Sequence, residues 1–176
     1  MAKKAVEKER VGIMAFSFAL RKQGRGEPSP CNRGLGSETM RAVRYLKYRR
    51  KESVLVSQWE VALALPKSQA VAHVIQEHRT KGQYLDSEEV VAQGVEAFRA
   101  EGVTKVIVIA NSFLHLTKCK RLVRQAGLEI YPFKVRWMGF DKLSDQWQTR
   151  SRIKALIYAL GQLPKVFGGS SHGPAH

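Results

Sequence analysis

The chain of 176 residues has little cysteine, and Cys31 and Cys119 are its only two. They lie far apart and without metal-ligand spacing, which excludes a disulfide scaffold or a zinc module and predicts a reduced, cytoplasmic chain. Long apolar runs are missing too, and nothing approaches the roughly 20 residues of a membrane span. The charged start, MAKKAVEKER, leads into the short run Val11 to Leu20 with no small-residue cleavage site, which reads against a signal peptide. Acidic residues are scarce, at 15 against 30 basic ones, for a net charge of +15. That balance attracts nucleic acid, anionic membrane or phosphorylated ligands. The cations are scattered, however, and no aromatic-studded basic motif accompanies them, so weak, non-specific nucleic-acid binding is expected rather than sequence recognition. Gly24 and Gly26 lack the spacing of a dinucleotide or phosphate loop.

What the chain does contain is centred on Val103 to Pro132. Val106 to Ala110 is a continuous, mostly β-branched apolar run, the pattern of a strand buried on both faces of a parallel sheet. Asn111 and Ser112 break it. From Phe113 the period becomes helical, with Leu116, Cys119, Leu122, Val123 and Ala126 sharing a face up to Gly127. Leu128, Ile130 and Tyr131 open another strand. Such a βαβ unit carries ligands at the carboxyl ends of its strands, where Asn111, Ser112 and His115 stand.

Along the rest of the chain, Val11 to Ala19 reads as the first strand, with Ser17 near its carboxyl end. A polar loop, Arg21 to Gly36, precedes a helix opened by Ser37. Ser53 to Ser57 is a second strand, Ser68 to His78 a helix and Gln83 to Leu85 a short third strand. Asp86 and Ser87 start a helix that runs to Gly102. Phe133 to Trp137 extends the fifth strand or forms an edge hairpin, and Leu143 to Leu160 is a closing helix. The division is therefore a charged extension over 1–10, one domain over 11–166 and a flexible tail over 167–176. Alternating strands and helices predict an α/β fold, a doubly wound, mainly parallel five-stranded sheet with helices on both faces, Rossmann-like in layout.

Four pieces in this order resemble the YdcF/SanA/ElyC-like domain family. They are the first strand leading into Gly26 to Arg33, with its Pro-Ser-Pro; Val54 to Ser57; Leu85 to Ser87; and Ile109 to His115. The likeness spans about residues 10 to 135. It departs where the family has two glycines after the second strand, here Gln58 and Trp59, and at Glu89, Val90 and Gln93. Lys118 stands where the family has an arginine, which keeps the charge but loses the bidentate fork.

The resemblance implies a site at the sheet's carboxyl edge. Candidate ligand-binding residues are Ser17, Asn32, Arg33, Ser57, Asp86, Ser87, Asn111 and Ser112, with His115 as the candidate catalytic group; no metal is expected. His115 reads either as a packing histidine or as a proton-transferring one. Asn111 and Ser112 read as capping residues or as polar contacts beside open amides of the Phe113 turn. Arg33, on the long loop, is expected to face one cleft with His115 and clamp an anion. Glu60 is a candidate acid partner for His115. Two functions stay open. One is binding of a nucleotide-like or phosphorylated small molecule, S-adenosylmethionine being a candidate. The other is a catalytically silent basic module for nucleic acid or an anionic envelope component.

Overall fold

The computed structural model describes residues 9–21 and 27–167, the side chains as far as Gly161. Most of the N-terminal extension, Gly24, Gly26 and the tail after Phe167 lie outside the described residues. Five strands form one sheet: β1 (Arg10–Ala15), β2 (Glu52–Gln58), β3 (His73–Ile75), β4 (Lys105–Ile109) and β5 (Glu129–Ile130). All pairs are parallel, in the order β3-β2-β1-β4-β5. The central strand is β1, with Ala15 level with Ser57 on one side and Ile109 on the other. The order reverses between β1 and β4, which opens a crevice at their carboxyl ends.

The side-chain alternation explains why both faces need covering. Met14, Val54, Val56, Val106 and Val108 face one way, against Val90, Val91, Val95 and Phe98 of α3 (Ser87–Ala100) and Cys119 and Val123 of α4 (His115–Gln125). Val11, Ile13, Leu55, Ile107 and Ile109 face the other way, against Leu35, Ala42 and Leu46 of α1 (Pro30–Tyr48). Phe98 is fully buried, worth about 2–3 kcal/mol for a side chain of its size. Gly12 makes room for it, since a Cβ there would lie 2.7 Å from the Phe98 ring.

Several elements differ from the sequence-based expectation. Helix α1 begins at Pro30 rather than at Gly36. Ser29 accepts a hydrogen bond from the Asn32 amide at 3.2 Å, and Pro30 at the first position forfeits an amide that no helix could use. The expected helix over Ser68 to His78 is absent. A single turn, α2 (Trp59–Ala62), precedes β3, because the edge of β2 offers His73 to Ile75 a ladder. Gln83 to Leu85, expected as a strand, pairs with none.

After β5 the chain is neither a longer strand nor a hairpin. Residues 131–141 form an irregular strap that buries Val135 and Met138 against the α1 side of the sheet. The last helix, α5 (Arg152–Phe167), starts later than expected, after a 3-10 turn at Trp147–Thr149. Asp141 accepts from the Leu143 amide at 3.1 Å, and Ser144 from the Gln146 amide and the Thr149 hydroxyl at 3.1 and 2.7 Å. These local bonds offer the backbone an alternative to an earlier helix.

Candidate functional site

A cleft of about 610 Å³ lies at the carboxyl edge of the sheet. Ser17 and Phe18 leave β1 into it, and Gln58 ends β2 beside them, its side-chain oxygen accepting from the Ser17 amide at 3.0 Å. The starts of α3 and α4 supply two walls, and Ala155, Tyr158 and Ala159 of α5 supply another. Gln58 thus builds a side chain into the edge itself.

The two helix starts are finished differently. At α3, Asp86 caps the helix by accepting from the Glu89 amide at 2.9 Å, and Glu88 and Glu89 stand in the first turn. Carboxylates there compensate the positive end of the helix dipole. Helix α4 has no side-chain cap and no acid in its first turn, and its cap residue Leu114 holds φ at +58°. A non-glycine residue in that conformation is strained, and such strain clusters at ligand sites. Leu114, Lys118 and Arg121 follow at helical spacing and all line the cleft. Lys118 pairs with Glu88 at 3.0 Å, whereas Arg121 has no ion pair among the described residues.

His115 opens α4 and lines the cleft. Its Nε2 lies 3.3 Å from the Ser87 hydroxyl, and its ring packs on Phe16 and Phe18 at centroid distances of 6.0 and 5.8 Å. Burial, with a smaller contribution from the Lys118 charge, lowers its pKa to about 4. The imidazole is therefore neutral at pH 7. Its Nδ1 is buried and without a partner among the described residues. An unpaired lone pair costs less than an unpaired N–H. The favoured tautomer thus carries its proton on Nε2 and donates it to Ser87.

Four of the expected site residues meet in the cleft: Ser17, Asp86, Ser87 and His115. Five do not line it. Asn32 is buried and pins the exit of β1, its side chain accepting from the Phe18 amide at 2.8 Å and donating to the Ala19 carbonyl at 3.1 Å. Arg33 belongs to the first turn of α1, exposed, so the shared cleft with His115 does not form. Ser57 is fully buried and donates to the Gln58 carbonyl at 3.0 Å. Asn111 holds the strap by donating to the Gly139 carbonyl at 3.2 Å, and its oxygen accepts from the Phe113 amide at 3.0 Å. That amide, expected to be open to an anion, is thereby taken. Ser112 keeps a buried hydroxyl without a partner among the described residues.

Glu60 is not the partner of His115, because neither its Oε2 nor Nδ1 of the histidine has one. Burial raises its pKa, and hydrogen bonds from its own backbone and Ser17 offset this in part. Both thiols stay protonated, Cys31 pushed up to about 11 and Cys119 higher, chiefly by burial. Sequence reasoning missed Gln58, Tyr84, Arg121 and Tyr158 as cleft residues. Only Arg121 had a signal, its helical spacing from Leu114 and Lys118. Among the described residues no cluster of three His, Cys, Asp or Glu side chains could hold a metal ion. No protein-family model matches the chain, and no curated protein matches it.

Proposed function

We propose that this is a YdcF-like protein whose carboxyl-edge cleft binds an anionic small molecule with an aromatic or apolar part, that is, a nucleotide-like or otherwise phosphorylated compound. The observation that carries this reading is the pair of cations Lys118 and Arg121, one turn apart on α4 in the same cleft, Arg121 without an ion pair among the described residues. The guanidinium and the ammonium supply the attraction for an anion, since the His115 and Leu116 amides already donate to the Phe113 and Asn111 carbonyls at 2.6 and 2.9 Å. Phe18, Tyr84, Phe113 and Tyr158 supply aromatic wall, and the volume falls within the range of about 300–1,000 Å³ usual for such ligands. S-adenosylmethionine, with its adenine and its carboxylate, is one candidate. The contact of Ser87 with His115 supports the family reading, because both residues come from the pieces that carry the resemblance.

Binding is a better-supported activity than catalysis. A serine nucleophile needs a base of adequate proton affinity, itself held by an acid. His115 has a lowered pKa and no carboxylate on Nδ1, so its role in this reading is to orient Ser87 toward the ligand. A thermal-shift screen with nucleotides, S-adenosylmethionine and sugar phosphates tests the proposal, since a ligand at a hundred times its Kd adds about 2.7 kcal/mol. Arg121→Ala should weaken the hit about tenfold or more, the loss of a charge-assisted hydrogen bond, while stability moves by under about 0.5 kcal/mol. Unchanged affinity in that variant would remove the anion site.

The second reading, a basic interaction module, is favoured by the exposed Arg44, Lys47, Arg49 and Arg50 around the end of α1. On this reading duplex DNA binds weakly, without sequence preference, and is released as salt rises. A tight complex at physiological salt would reverse the order of the two proposals.

A further inference from the structure

Helix α5 is built the wrong way round for a soluble domain. Ile153, Leu156, Ile157 and Leu160 recur at i, i+3, i+4 and i+7, the spacing of a core-facing stripe. All four are exposed, Ile153 at 72% and Leu160 at 55%. The sides turned toward the cleft are instead Ala155, Tyr158 and Ala159. A contiguous apolar stripe in solvent marks an interaction surface.

The surroundings of the stripe identify its partner. No Asp or Glu follows Asp145, while Arg150, Arg152 and Lys154 lead into the helix. Two tryptophans rim its amino end, both substantially exposed. The Arg152 guanidinium lies 4.4 Å from the centre of the Trp137 ring, and the Lys154 ammonium 5.9 Å from that of Trp147. A second copy of the chain would bring like charges together across the stripe. An acyl-chain boundary under anionic headgroups instead takes all three components: aliphatic side chains below, tryptophan at headgroup level and cations against the phosphates. Basic residues beside such a surface are drawn to its anionic headgroups.

We propose that α5 docks this protein on an anionic membrane surface, lying in the plane of the interface with Ile153, Leu156, Ile157 and Leu160 in the acyl boundary. It does not span, because no helix among the described residues is long and apolar enough to cross a membrane. The proposal stands apart from the identity of the cleft ligand.

Co-sedimentation of the full chain with vesicles tests it. Vesicles of phosphatidylcholine mixed with phosphatidylglycerol should bind about tenfold or more better than phosphatidylcholine alone. The triple variant Ile153→Ser, Ile157→Ser, Leu160→Ser keeps the net charge and alters only exposed side chains. It should lose about tenfold or more in binding, with its melting temperature little changed. Brominated lipid should quench the tryptophan fluorescence of the unaltered chain, a readout that needs no variant. Three results would each overturn the proposal. The first is no binding to anionic vesicles, as a protein partner for the stripe would give. The second is equal binding by the triple variant, which would mean that general basicity suffices. The third is a dimer by light scattering that the triple variant breaks, which would make a second copy the occupant.

Discussion

Two buried glutamates show how differently this molecule treats its polar groups. Glu38, on α1 beneath the strap, is almost fully buried, and burial works to raise its pKa. Arg41 donates to it at 2.6 Å, and Arg136 donates both its backbone amide at 3.0 Å and its guanidinium at 2.6 Å. Those bonds overcome the burial and hold the carboxylate at about 2. Glu60, just beyond the end of β2, is also buried, yet one of its oxygens bonds to nothing among the described residues and its pKa rises. Ser112 and His115 share this condition beyond the end of β4. Polar groups under the strap serve the fold, and their bonds are complete. The incomplete ones gather at the carboxyl edge, where unpaired buried groups call for a functional reason.

The contrast can be broken from either side. The largest effect is expected at Glu38→Gln, which removes the charge and turns one of two acceptor oxygens into a donor facing the N–H groups of Arg41 and Arg136. Removing one partner of a fully buried pair costs about 3–5 kcal/mol. Arg136 is well exposed here, so about 2–3 kcal/mol is expected in urea unfolding, with cleft binding unchanged. A loss below about 0.5 kcal/mol would make the network decorative.

Next comes His115. Its folded pKa of about 4 lies below the ordinary value of 6.5, so the unfolded chain takes up the proton first as pH falls. The stability it contributes is complete above pH 6.5 and declines toward pH 4, by on the order of 2 kcal/mol. His115→Gln should flatten that slope, and a slope that persists would trace to other groups.

The smallest effect is at Glu60→Gln. A carboxyl with a raised folded pKa favours folding below its unfolded pKa and loses that contribution as pH rises through the folded value. The amide variant should therefore be more stable than the unaltered chain at pH 8 and equal to it at pH 4. A destabilised variant at pH 8 would show that the carboxylate has a partner, and the two regions would then be alike.

Much of the architecture could be read in advance, for a simple reason. Val106 to Ala110 and Val54 to Val56 are apolar on consecutive positions, and only a sheet covered on both faces buries both sides of a strand. The third strand escaped because Ala70, Val71, Val74 and Ile75 also satisfy helical spacing, and three residues beside β2 were enough to decide otherwise. In the candidate cleft, Asp86 and Ser87 could be placed from helix-start chemistry, and His115 from the strand-to-turn break. Asn32 and Asn111 were misread as ligand contacts. An asparagine looks the same in sequence whether it serves a ligand or a backbone, and the partners here lie at Phe18, Ala19 and Gly139.

The α/β class and the sense of the strands were set by local features of the sequence, because the period of apolar residues and the chemistry of helix starts are local properties. Tertiary structure alone decided which polar residues face the cleft. The strap takes up Asn111, the exit of β1 takes up Asn32, and Arg33 stays on the outside of α1. It also decided that His115 is neutral and that the apolar stripe of α5 faces outward. Burial, and the pairing of groups distant in the chain, set proton affinity and exposure, and neither is written in the residues nearby.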